Sequence, residues 1–209
     1  MKTDPAANVF PLCYCPPIAW FAAAVQQPQL LLEVQQPYKK QTYSSRMYIK
    51  TSQGVMPLVI PVQRRGSLQP LQQKRISYQE KWQRHHWRSL RAAYGSAPFY
   101  EHYAPLLRPL YERQWEFLPE FLLHALHLLL GMLKISLPLS TTTHYQPAGH
   151  YRHDYRQAFE PRRQQLPSWF IPLEYPQLFG PFEANLSILD LLFNEGPNAL
   201  PILKASLAD

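Results

Sequence analysis

The chain is predicted to fold as one α/β domain over residues 1–209, a mixed β-sheet from the N-terminal half packed against helices from the middle and the C-terminus. Three observations predict it. Short apolar runs bounded by proline and glycine fill residues 9–62, amphipathic and apolar helical patterns fill 79–135, and a last helical pattern closes the chain. Apolar residues make up 46% of the 209, enough for a substantial core, and 22 prolines against 7 glycines favour fixed corners over flexible linkers.

The elements follow in order. Val9–Cys15 reads as a strand closed by Pro16 and Pro17. IAWFAAAVQ, 18–26, reads as a short helix stopped by Pro28, and QLLLEV, 29–34, as a second, buried strand. Residues 45–51 and 56–62 read as a hairpin turning at Gln53-Gly54, and 63–77 as a basic, glutamine-rich loop. A helix is predicted over 79–94 with Gly95 at its end, and a second over 97–114, kinked or limited by Pro105 and Pro109. Residues 115–135 form a long core helix. ISLPLSTTTHY returns as a strand, 146–168 is an irregular basic loop, WFIPLEY is a short strand, and 186–196 is a helix ending at Gly196-Pro197 before a short tail helix.

The net charge of +7 favours anionic partners without choosing among nucleic acid, nucleotide-linked sugars, phosphates and acidic glycans. Cys13 and Cys15 are too close for an unstrained disulfide, so they read as reduced thiols of a cytoplasmic protein. The N-terminus lacks the apolar core of a secretory signal. The stretch at 117–135 could span a bilayer by length, but Glu120, His124, His127 and Lys134 interrupt it, so it reads as a core helix and no membrane span is expected. Core packing also accounts for His124 and His127. His150, His153 and Asp154 have weak metal-ligand spacing, and no metal is expected. No glycine-rich cofactor loop and no GxSxG nucleophile pattern occurs, and the cofactor stays open.

Two segments carry chemistry. QPYKKQTYSSRMYIK, 36–50, interleaves cations with tyrosines. It suits a polar edge strand, a nucleic-acid platform or the floor of an anion site. On a straight strand Lys40 and Arg46 would lie about 20 Å apart. A turn at Tyr43–Ser45 would let them converge on one phosphate or carboxylate. In the helix at 79–94, Trp82, His86, Trp87, Leu90, Ala93 and Tyr94 occupy an arc of roughly 140°, with Lys81, Arg84, Arg88 and Arg91 opposite. The cations lack acidic partners at i±4, which leaves them either a solvated face or an anion-binding ridge. His86 on the apolar arc is either a paired core histidine or an acid/base group.

These segments, with LVIPV, WQRHHWRSLRAAYGSAPFYEHY and YPQLFGPFEANLSILDLLFNEGP in the same order, resemble the WbqC-like family of bacterial proteins over roughly residues 8–198. The resemblance implies a transferase of cell-surface polysaccharide biosynthesis, modifying a nucleotide-linked or amino sugar by acyl or aminoacyl transfer. The family pattern is matched by Lys40, Tyr43 and Arg46, by Trp82, His86 and Trp87, by Tyr94, Pro98 and Phe99, and by Tyr175, Gln177, Phe179, Ser187 and Asp190. Ser44 and Ser45 depart from the polar or basic residue and Asn that often precede the arginine.

The expected roles follow. Lys40 and Arg46 hold phosphate or carboxylate, Tyr43, Trp82 and Trp87 stack on sugar or base, and Tyr94 lies in the binding region. His86 is the acid/base candidate, and Asp190 either orients it, binds a hydroxyl or only complements a helix dipole. For these roles to combine, the cationic segment has to fold against the tryptophan-bearing helix. The expected partner is an anionic small molecule such as a nucleotide-sugar or phosphate. The alternative is a non-catalytic module binding an anionic glycan or nucleic acid.

Overall fold

A computed structural model describes residues 8–63, 69–159, 161 and 166–208. The α/β class holds, with N-terminal strands and with helices in the middle and at the C-terminus. The strands divide into two sheets. One is parallel and contains β1 (Asn8–Pro11), β2 (Leu30–Glu33), β5 (Leu139–Thr141) and β6 (His153–Asp154), in the order β5-β2-β1-β6. The other is the antiparallel hairpin of β3 (Arg46–Thr51) and β4 (Gly54–Val59).

The first βαβ unit explains itself. Helix α1 (Ile18–Ala24) connects β1 to β2, which pair in parallel with Val9 opposite Leu31. All seven residues of α1 are buried, because two C-terminal helices, α5 (Ile188–Glu195) and α6 (Ala199–Ala205), cover it. This is why IAWFAAA carries no polar stripe. In the hairpin Met47 and Ile49 point inward, while Arg46 and Tyr48 on the alternate face are only partly covered. The turn proper is Ser52-Gln53. Gly54 opens the return strand at φ +103°, a region that only glycine occupies readily.

Helix α2 (Trp82–Tyr94) buries Trp82, His86, Leu90, Ala93 and Tyr94 and exposes Arg84, Arg88 and Arg91, as its periodicity demands. Helix α3 (Tyr100–Glu112) contains Pro105 and Pro109 four residues apart on its exposed face, where water can satisfy the carbonyls they leave unpaired. Helix α4 (Leu118–Met132) buries Phe121, Leu122, Leu126 and Leu129. Among the described residues no helix is long and apolar enough to cross a membrane.

Some expectations are corrected. His124 and His127 are exposed rather than packed in the core. WFIPLEY forms no strand: only Phe170 pairs, with Leu207, and Pro172 cannot donate to a ladder. The region 146–168 contains β6, which completes the sheet beside β1. Residues 64–68 of the basic loop and 162–165 lie outside the described residues. Cys13 and Cys15 are buried free thiols.

Candidate functional site

The segment between β2 and β3 turns rather than running straight. Gln41 takes φ +64°, and the Ser45 amide donates to the Thr42 carbonyl. The turn brings Lys40 and Arg46 onto the wall of one open groove of about 1370 Å³. Tyr38 and Lys74 complete the cationic side, while Ser77, Tyr78 and Glu80 bring the approach to α2 onto the far wall. The groove therefore reaches the chain leading into the tryptophan-bearing helix, but not the helix itself.

The electrostatics of the groove are unbalanced. Lys40, Arg46 and Lys74 make no ion pair among the described residues, although Glu80 lines the same groove. Lys74 is largely buried, with its ammonium 5.1 Å from the centre of the Tyr38 ring. Burial, and then the neighbouring Lys40 ammonium, push its pKa below the ordinary lysine value. Arg46 donates from Nη1 to the Tyr48 hydroxyl at 3.3 Å, while its Nε is buried without an acceptor. A buried donor left unpaired costs roughly 1–3 kcal/mol, so this guanidinium edge is suited to an oxygen-rich anion.

A family profile described as the WbqC-like protein family matches residues 13–165 and 157–202. The chain belongs to that family. A Mycobacterium tuberculosis protein named "Uncharacterized protein Rv1507c" is 30% identical over 193 residues, covering 80% of this chain and 84% of its own. No solved structure matches the chain.

In this WbqC-like protein the other expected site residues fall into four separate places. Tyr43 lies behind the groove wall, in a smaller cavity at the ends of the parallel strands. Trp82 and Trp87 line a cleft of about 390 Å³ between α2 and α3, together with Lys81, Arg84 and Arg108. Tyr94 and Asp190 are buried together in a polar cluster. Asp190 accepts from the Tyr94 hydroxyl at 2.9 Å, the Tyr175 hydroxyl at 2.6 Å and Gln177 Nε2 at 2.9 Å. Lys50 Nζ donates to Gln177 Oε1 at 3.0 Å and to the Pro181 carbonyl. Burial pushes the Asp190 carboxyl above its ordinary value, against the hydrogen bonds and the Lys50 charge that favour its ionised form.

His86 occupies the protein interior. Its Nδ1 meets the Tyr14 hydroxyl at 3.0 Å, and Tyr14 meets Tyr111 at 2.8 Å. Burial, and then the charge of His85, hold the His86 pKa down at about 3, keeping the ring neutral at physiological pH. Among the described residues no hydrogen bond joins His86 to Asp190, and neither lines the groove.

Sequence reasoning missed Lys74 and Tyr14, gave Lys50 no role, and placed Tyr38 only among the aromatics of a nucleic-acid platform. Lys74 sits in a stretch that reads as a generic basic loop. Backbone pairing brings it to Lys40: Pro37 bridges Pro70, the Tyr38 amide donates to the Gln69 carbonyl, and the Leu71 and Gln72 amides donate to the Gln36 and Val34 carbonyls.

Proposed function

We propose that this WbqC-like protein binds a nucleotide-linked or otherwise phosphorylated sugar through the groove of Lys40, Arg46 and Lys74, and acts as a transferase in bacterial cell-surface polysaccharide assembly. One observation carries this reading. The Lys40 ammonium is close enough to help lower the pKa of Lys74, and both lysines share the groove with an arginine whose Nε has no acceptor. Like charges held together favour a bound anion, which relieves their repulsion. Arg46 supplies a directional fork, and Lys40 and Lys74 supply point charges. His86 and Asp190 act in this reading as positioning residues. His86 ties α2 to Tyr14, just beyond β1, while Asp190 ties α5 to Tyr94 of α2 and, through Gln177, to Lys50 of β3.

The test is calorimetric titration with a panel of nucleotide-sugars and free nucleoside diphosphates, on the native protein and on Lys40→Ala, Arg46→Ala and Lys74→Ala. Each charge-assisted hydrogen bond is worth about 1.5–3 kcal/mol, so each variant weakens binding roughly 10- to 100-fold. Affinities that stay the same in all three variants refute the reading.

A second reading has its own observation. Arg84, Arg88 and Arg91 are exposed along α2 and make no ion pair among the described residues, as on a non-catalytic polyanion-binding surface. Steeply salt-dependent, sequence-blind binding of RNA or DNA, with no response to nucleotide-sugars, decides for that reading.

A further inference from the structure

The strands of the parallel sheet lie across it in the order third, second, first, fourth of their appearance along the chain. From β1 the chain runs outward to β2 and β5, then returns to add β6 on the other side of β1. Open parallel sheets form a crevice beyond the carboxyl ends of the two strands where this reversal occurs, and ligands settle there. Here a cavity of about 230 Å³ occupies that position, with Cys13 beyond β1 and Arg156 beyond β6 on its walls.

The loop before β3 separates this crevice from the cationic groove. Lys39, Tyr43 and Ser44 line the crevice, whereas Lys40, Ser45 and Arg46 line the groove. Tyr38 borders both, and its hydroxyl is hydrogen-bonded to Ser45 Oγ at 2.7 Å.

The two sides differ in chemistry. Arg156 has its charge compensated within the protein. Nη1 donates to Glu33 Oε2 at 3.1 Å and to the Gln146 carbonyl at 2.8 Å, Nε donates to Asp154 Oδ1 at 2.8 Å, and Nη2 pairs with Asp154 Oδ2. Lys39 is exposed at the rim. The walls otherwise offer the hydroxyls of Tyr43 and Ser44, the amides of Gln36 and Gln157, and the rings of Tyr145 and Phe159. Cys13 is buried with its thiol pKa pushed up, so it is no nucleophile. Hydroxyls and amides exchange hydrogen bonds with hydroxyl groups, and aromatic faces cover apolar C–H surface. The volume falls below the ~300–1,000 Å³ of sites for drug-sized ligands, which limits the occupant to about one ring.

We infer that the crevice between β1 and β6 is a second ligand subsite, one that takes an uncharged hydroxylated ring, a sugar, next to the groove that takes the anion. The assignment of the anion rests on the proposed function; the assignment of the ring rests on the crevice alone.

Ligand-observed saturation-transfer NMR with free N-acetylglucosamine and glucose reports on the crevice, and titration with UDP reports on the groove. Gln157→Leu and Tyr145→Ala change exposed crevice residues and leave the core intact. The expected result is a saccharide signal that falls at least about twofold in both crevice variants and persists in Lys40→Ala, with UDP affinity reduced only by Lys40→Ala. No saccharide signal, or one indifferent to both crevice variants, overturns the crevice subsite even if UDP binding depends on Lys40. A Gln157-dependent saccharide signal without UDP binding upholds the crevice and removes the groove reading.

Discussion

Replacing His86 with glutamine separates a packed histidine from a working acid/base group through the pH dependence of stability. Unfolded, the imidazole titrates near 6.5, whereas in the folded protein its pKa is held down at about 3. A base with a depressed folded pKa binds its proton preferentially in the unfolded chain, so stability is lost as pH falls below about 6.5. Each pH unit below that value costs close to 1.4 kcal/mol until the folded pKa is reached. Between about pH 7.5 and pH 5 the loss assigned to His86 is therefore about 2 kcal/mol. The glutamine side chain of His86→Gln cannot titrate, yet its amide can still hydrogen-bond the Tyr14 hydroxyl. Urea denaturation of both proteins at each pH, compared at constant m, should show the native protein losing about 2 kcal/mol more than His86→Gln over that interval. Parallel profiles would mean that His86 takes up its proton in the folded state, and would refute its assignment as a desolvated, neutral residue.

Two other substitutions test the frame around the site. Gly196→Ala places a Cβ 2.5 Å from the Phe99 ring at a backbone φ of +53°, so overpacking and left-handed strain together should cost about 2–4 kcal/mol, measured by chemical denaturation. Tyr94→Phe keeps the ring against Phe193 but removes a donor to the buried Asp190 carboxylate and the acceptor of the Lys50 amide. It should cost roughly 1.5–3 kcal/mol in the same assay, with nucleotide-sugar affinity in the groove little changed.

Local pattern made much of this legible. The arc of α2 emerged because its apolar residues recur with helical spacing, and the hairpin because a turn separates two short apolar runs. β6 could not be read: His153 and Asp154 have no strand-like side chains, and they join the sheet only through backbone pairing with Asn8 and Val9. WFIPLEY misled in the opposite sense, since an apolar run says nothing about whether a partner strand is present. At the site, the residue types in the Lys40–Arg46 segment suggested an anion, but its direction depended on the left-handed turn at Gln41. Trp82, His86 and Trp87 are neighbours on α2, yet His86 meets Tyr14 while both tryptophans line the cleft toward α3. Periodicity gives the buried arc of a helix, not which neighbour each residue in it will face.

The pairing of Leu30 with Leu139, and of Asn8 with His153, sets the order in which the molecule can be made. During synthesis β1 and β2 leave the ribosome long before their outer partners exist, so both edges of that nascent pair stay open while the hairpin and three helices are added between them. Such long-range parallel pairing slows folding and leaves edges open to other chains. Chains truncated before β5 should accumulate as aggregates, whereas completion through residue 156 pairs both edges of β1 and β2 and, with them, sets the walls on which Tyr145 and Arg156 stand.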